Sequence, residues 1–98
     1  MYTVWYHGTY RANVASIREH GLRARYYGDN FQGFGVGTPY LTLFKDRSNA
    51  ALPGRDVVIV LHVPDDEAVV YLALADASLT AGLRKDLPPR MIHAVEDL

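Results

Sequence analysis

Val57-Val58-Ile59-Val60-Leu61-His62-Val63 constrains this chain more than any other stretch. A run with no polar alternation needs cover on both faces, which makes it a central strand rather than the edge of a half-exposed sheet. The 98 residues form a single domain, 1–98, that can bury only somewhat more than ~60% of its unfolded surface. There is no room for a second core, so the fold must be organised around this strand.

The flanking segments supply partners. Val4-Trp5-Tyr6 reads as a strand ending at Gly8. Asn13 is placed to cap a short helix with Val14 and Ile17 on one face, and Gly21 to stop it. Gly28, Gly33 and Gly35 fall among aromatics with no sustained period, the pattern of a long functional loop. A strand continues from Tyr40 through Leu41 and Leu43, and Asp46 or Ser48 begins a short helix that ends before Pro53-Gly54. Val69-Val70-Tyr71-Leu72 reads as a weaker strand, and Met91 to Val95 as a closing one that starts after Pro88-Pro89 or runs along an edge. Several strands, one or two short helices and no regular βαβ alternation define an α+β domain.

Composition narrows the chemistry. The chain has no cysteine, which excludes disulfides, thiolate catalysis and cysteine-based zinc sites. His20, His62 and His93 lack metal-ligand spacing, so no metal is expected. No stretch approaches the ~20 apolar residues of a membrane span, and the N-terminus lacks the basic start of a signal peptide; the expectation is a cytoplasmic protein with no membrane association. Net charge is −1 but uneven: residues 1–55 carry seven Lys/Arg against three Asp/Glu, or +4, and residues 56–98 three against eight, or −5. Ten of the eleven aromatics lie in the first 44 residues, so the N-terminal half suits a ligand with rings and phosphates.

Two motifs stand apart from core packing. Tyr6-His7-Gly8-Thr9 and, further on, Gly35-Val36-Gly37-Thr38-Pro39-Tyr40-Leu41-Thr42 each place polar or aromatic side chains beside glycine backbone at a strand end. Such an arrangement can build a pocket for a flat, amide-bearing ligand. Taken alone, Gly35 and Gly37 read equally as turn glycines, Tyr40 as a core-edge tyrosine, Arg23 as a solvated residue past a helix end and Ser48 as a helix cap.

With their spacing, these residues resemble the ADP-ribosyltransferases of the His-Tyr-Glu class, which includes the poly(ADP-ribose) polymerase catalytic domains. The first motif of that family, His-Gly-Ser/Thr, then Asn, then a helix ending in Gly-Leu-Arg, is similar to His7-Gly8-Thr9, Asn13 and Gly21-Leu22-Arg23. The second, Phe-Gly-x-Gly-x-Tyr-Phe-Ala followed by Ser, is similar to Phe34-Gly35-Val36-Gly37, Tyr40-Leu41-Thr42 and Ser48. The likeness covers roughly residues 4–52. It implies two small packed, mostly antiparallel sheets with a nicotinamide pocket between them. It further implies NAD as substrate: His7 on a ribose hydroxyl, the Gly8 backbone on the nicotinamide amide, Ser48 on that amide, Tyr40 over the ring, Asn13 and Arg23 toward the adenosine end, and Thr9 among the cofactor-binding residues.

The sequence departs from the family in two places. One extra residue, Thr38 or Pro39, separates Gly37 from Tyr40. The glutamate that activates the acceptor is missing, since Leu79-Thr80-Ala81-Gly82-Leu83 holds no carboxylate. Asp76 upstream is the candidate substitute, with Asp86 the nearest acid downstream. The expected activity is transfer of one ADP-ribose from NAD to a protein or small-molecule acceptor, or NAD hydrolysis, with His7, Tyr40 and Asp76 as catalytic residues. The alternative is a binding module that recognises NAD, ADP-ribose or a partner protein without chemistry. A second resemblance, to RNA 2′-phosphotransferases, gives a third reading and rests on His7-Gly8-Thr9, Val57 to Val63 and Leu87-Pro88-Pro89-Arg90-Met91-Ile92. Clustered cations for RNA are limited to Arg23, Arg25, Arg47 and Arg55, so nucleic acid ranks last. A dimer is one way for so small a core to complete a half-open pocket.

Overall fold

In a computed structural model of the protein, which describes residues 1–24, 42–75 and 80–98, the apolar run becomes the long strand β3 (Val57–Pro64). It is central, with Val57, Val58, Ile59 and Leu61 all at 0% exposure. β1 (Tyr2–Thr9) lies antiparallel on one side, in register from Tyr2↔Pro64 to Thr9↔Val57. On the other side β6 (Ile92–Asp97) pairs antiparallel from Val57↔Asp97 to Leu61↔Ile92, with a bulge at Val60/Leu61. β6 starts after Pro88 and a 3-10 turn at Pro89–Met91, so the prolines stay outside the ladder.

The other half-sheet consists of β2 (Thr42–Phe44), β4 (Leu72–Ala75) and β5 (Thr80–Leu83). β5 runs between the other two, antiparallel to both. The six strands join in the order β4-β5-β2-β1-β3-β6. The domain is α+β as the strand content requires, but the expected two packed sheets are one continuous sheet among the described residues. Among the described residues a single row, Tyr6↔Phe44, makes the connection between the halves. One paired row is enough to merge them, and so short a join leaves a seam between β1 and β2.

Strand alternation assigns the faces. Trp5 and His7 pair with Leu61 and Ile59, and share their face with Leu43, Ala81, Leu83 and Leu72. Ile17, Leu22, Leu87 and Met91 close over that face as the main core. Val58 and Val60 point the other way and are also buried, beneath the short helix α2 (Arg47–Ala50) and the segment after it. There a Cβ on Gly8 would lie 1.9 Å from the Ala50 carbonyl oxygen, so only glycine admits this close approach. Farther along the same outer face His62 stacks between Tyr2, at 4.2 Å, and His93, at 3.9 Å between ring centroids.

Helix α1 (Val14–His20) presents Ile17 to the core and stops at Gly21, whose N–H reaches the Ile17 carbonyl at 2.7 Å. Asn13 stands at its start but makes no cap bond with its side chain. Beyond Gly21 the chain is clasped to the segment before β6, with Leu22 and Leu87 exchanging N–H···O bonds of 3.0 and 2.8 Å.

One segment overturns its expected form, and another forms a strand that no sequence signal marked. Val69-Val70-Tyr71 ends a helix, α3 (Asp65–Tyr71), and the strand begins only at Leu72. Pro64 breaks the preceding strand, and Asp65, Asp66 and Glu67 fill the first turn, where negative charge complements the helix dipole. With Val69 and Val70 at 71% and 46% exposure, their β-branching had no sheet face to serve. β5 had no local signal, since Thr80-Ala81-Gly82-Leu83 has weak strand propensity; it is a strand because β2 and β4 pair with both of its edges. Among the described residues no helix is long and apolar enough to cross a membrane.

Two glycines separate strain from packing. Gly21 has φ 77° and ψ −167°, and a Cβ there would sit 1.9 Å from the Leu87 carbonyl oxygen. Gly54 has φ +85° with nothing within 4 Å. Gly54→Ala is expected to cost about 1 kcal/mol and Gly21→Ala more than about 2 kcal/mol, since the collision adds to the strain of a region that is nearly glycine-only. Urea midpoints of the two variants check the order; equal losses would remove the role given to the Leu22–Leu87 clasp.

Candidate functional site

The seam is where the first sequence motif lies. Past Tyr6↔Phe44, β1 and β2 make no further paired row among the described residues, and the His7 side chain bridges the gap. His7 is 2% exposed, with Nδ1 3.1 Å from the Thr42 carbonyl oxygen. A carbonyl only accepts, so Nδ1 carries the hydrogen. Burial lowers the His7 pKa from 6.5 to about 4; the bond to Thr42 opposes this, and the Arg55 charge adds to it. At neutral pH the ring is therefore neutral and Nε2 holds a lone pair. This nitrogen is an acceptor suited to a hydroxyl donor.

The neighbouring motif residues are also held in place. Gly8 follows His7 on the strand and packs against the end of α2. Thr9 is 1% exposed, and its Oγ1 accepts from Asn13 Nδ2 at 3.0 Å. That bond explains why Asn13 does not cap α1: its amide is used to fix the end of β1 instead. His7, Gly8, Thr9 and Asn13 are thus brought together as one rigid strand end.

Other predicted residues fall elsewhere. Ser48 is exposed, and both its hydroxyl and its N–H bond to Asp46 Oδ1, at 3.0 and 3.2 Å. Asp46 is the N-cap of α2, so Ser48 belongs to a capping arrangement rather than to the His7 face. Arg23 is half-buried between the Leu22–Leu87 clasp and Ala24, whose N–H bonds Asp86 Oδ1 at 2.9 Å. Asp86 is occupied there. Tyr40 and Asp76 lie outside the described residues, as do Phe34, Gly35 and Gly37.

Two residues of the site were not singled out from sequence. Thr42 is 5% exposed, and its Oγ1 has no hydrogen-bond partner among the described residues. Leaving a buried hydroxyl unsatisfied costs about 1–3 kcal/mol. A hint was present in the motif, where Thr42 stands at the family's alanine, but burial is a tertiary property and sequence does not display it. Arg55 was considered only as an RNA cation. It bonds the Tyr10 hydroxyl at 2.6 Å, lies over the Tyr10 ring at 4.7 Å, and places its charge near enough to act on His7.

The charge asymmetry also resolves into contacts. Arg47 bonds Glu96 Oε1 and the Asp97 carbonyl, each at 3.0 Å, and Arg11 pairs with Asp97. Basic residues of the first half thus hold the acidic tail of β6. Arg47 and Arg55, two of the four cations suited to RNA, have partners within the protein.

No protein-family model, curated protein or solved structure matches this chain. The likeness to the ADP-ribosyltransferases rests on the motif residues alone.

A titration isolates His7. Between pH 6.5 and about 4 the unfolded chain takes up a proton at this residue that the folded chain refuses, so stability falls as pH drops through that window. The His7 contribution to the loss is roughly 3 kcal/mol. His62, also shifted down by burial and by His93, changes in the same direction. His7→Asn keeps a donor for the Thr42 carbonyl and removes the titration. Its urea-derived stability is expected to decline less than wild type between pH 7 and 4.5; parallel declines would contradict a buried neutral His7.

Proposed function

We propose that this domain recognises NAD through the nicotinamide–ribose half, as an ADP-ribosyltransferase-like module. The observation that carries the reading is His7: buried, neutral, fixed in its tautomer by Thr42, and left with an Nε2 acceptor beside the Gly8 backbone. A ribose hydroxyl is the donor such a nitrogen takes. Recognition is favoured over transfer because the described part of the late strand, Thr80-Ala81-Gly82-Leu83, carries no carboxylate. Leu83 is 1% exposed in the core, and Asp86 is engaged by Ala24.

Calorimetry with NAD, ADP-ribose and nicotinamide tests the reading. Wild type is expected to bind NAD, and His7→Asn, which loses only the Nε2 acceptor, to bind it about tenfold more weakly. Failure to bind any of the three, or equal binding by both proteins, would overturn the proposal. Nicotinamide release is expected to be absent across a panel of protein and small-molecule acceptors. Release that disappears in Asp76→Asn would instead establish a transferase or NAD glycohydrolase.

A further inference from the structure

We infer that the stacked rings of Tyr2, His62 and His93 form a proton-sensitive clasp on the edge strand β6, closed while the imidazoles are neutral and opened when both are charged. The inference is independent of the NAD reading and uses none of its residues. It begins with the bulge in the β3–β6 ladder. Val60 pairs with Ala94 and Leu61 with Ile92, so His93 is the extra residue of β6. A bulge re-aims a side chain, and here it brings the His93 ring to the outer face, 3.9 Å and 12° from that of His62. His62 lies in turn 4.2 Å and 15° from Tyr2. One ring from each of β1, β3 and β6 thus meets in a single stack across three strands. Imidazole lone pairs lie in the ring plane, so rings stacked face to face do not converge on one metal ion; what the two histidines share is their charge.

One imidazolium is tolerated, because the faces of neighbouring rings attract a cation. A second, held against the first, is opposed by like charge, so the pair titrates as a unit. Partial burial and the His93 charge already lower the His62 pKa from 6.5. The surroundings do not offset this. Val4, Val60 and Ala94 flank the stack on the outer face and none titrates, while Glu96 farther along β6 is held by Arg47 of α2. α3 and the 3-10 turn pack on the core face through Ala68, Tyr71 and Met91. Of their charges, Asp65 accepts from Thr3, Glu67 pairs with Arg90, and Asp66 is exposed. The Met1 amino group, next to Tyr2 in the chain, is one more cation. Among the described residues no carboxylate forms an ion pair with His62 or His93. Opening β6 relieves the repulsion, and with the His62 pKa lowered in the closed form, the open form gains protons as pH falls below 6.5. Through Glu96 and Asp97 the same strand fastens Arg47 of α2 and Arg11 after β1, so a loosened β6 slackens both.

Amide hydrogen exchange, read residue by residue as protection factors, tests the clasp. From about pH 7 to about pH 5, protection of the wild-type β6 amides is expected to fall about tenfold more than that of β1, the effect of one proton taken up over one pH unit. His93→Phe keeps a ring in the stack and removes its charge, so β6 and β1 are expected to decline in parallel. His93→Gln removes the ring, and its β6 is expected to be less protected than wild type already at neutral pH. The acid loss that comes from His7 is present in all three proteins, so the difference between them isolates the stack. An excess decline of β6 that is absent from wild type, or that persists in His93→Phe, would overturn the inference. So would wild-type protection of β6 at neutral pH in His93→Gln, since the stack would then hold nothing.

Discussion

The bond from His7 Nδ1 to the Thr42 carbonyl does the work that main-chain pairing would do elsewhere in the sheet. Among the described residues β1 joins β3 through eight residue pairs but meets β2 at one, so the halves β4-β5-β2 and β1-β3-β6 depend there on few contacts to stay in register. A side chain that enters the seam and satisfies a strand carbonyl extends that join by one step. Because the ring is buried among Trp5, Ile59 and Leu43 neighbours on one face of the sheet, desolvation keeps it neutral, and neutrality fixes which nitrogen donates. The same contact therefore sets the geometry of the sheet and the chemistry of the strand end.

Surrounding contacts act on that strand end and make it rigid. Thr9 is tied to Asn13, the Arg11 N–H to Asp56 at 2.7 Å, and Gly8 admits the Ala50 carbonyl into the space a side chain would occupy. None of these exposed or half-buried bonds is large alone, and surface ion pairs such as Arg47 with Glu96 are worth at most about 1 kcal/mol. Their common effect is positional. They leave the end of β1 with few alternative conformations, which is what a binding site needs if it is to avoid ordering costs when a ligand arrives.

Much of this was legible in the chain. Val57 to Val63 could only be central, Val4 to Gly8 had to lie against something similar, and Gly21 ended its helix because no other residue takes φ 77° at ψ −167° without strain. Other features were hidden for physical reasons. Val69-Val70 carries strand propensity, yet Pro64 and three acidic residues started a helix ahead of it. Thr80 to Leu83 carries almost none and is a strand through pairing alone. His7, Gly8, Thr9 and Asn13 could be grouped from the motif, but the Asn13 amide went to Thr9 rather than to a helix cap, and Ser48 went to Asp46. A cap and a ligand contact draw on the same residue types, and only the fold decides which partner is nearer. Thr42 was unreadable as a site residue because an unsatisfied hydroxyl is defined by what surrounds it.

Sheet register also bears on chemistry. Residues 76–79 connect Ala75 to Thr80, and Ala75 and Thr80 stand in the row of Phe44 and Tyr6. Thr42 and Gly82 form a row two residues along, roughly 7 Å at the rise of a strand. Gly82, opposite Thr42 on β5, shares the face of Thr42 and Gly8, whereas Ala81 and Leu83, neither with a carboxylate, share the face of His7. A site that held ribose and carboxamide with no charge placed for a departing glycosyl cation would bind ground state and transition state alike. Uniform binding of that kind yields affinity without rate, which is the physical difference between a module that reads NAD and an enzyme that cleaves it.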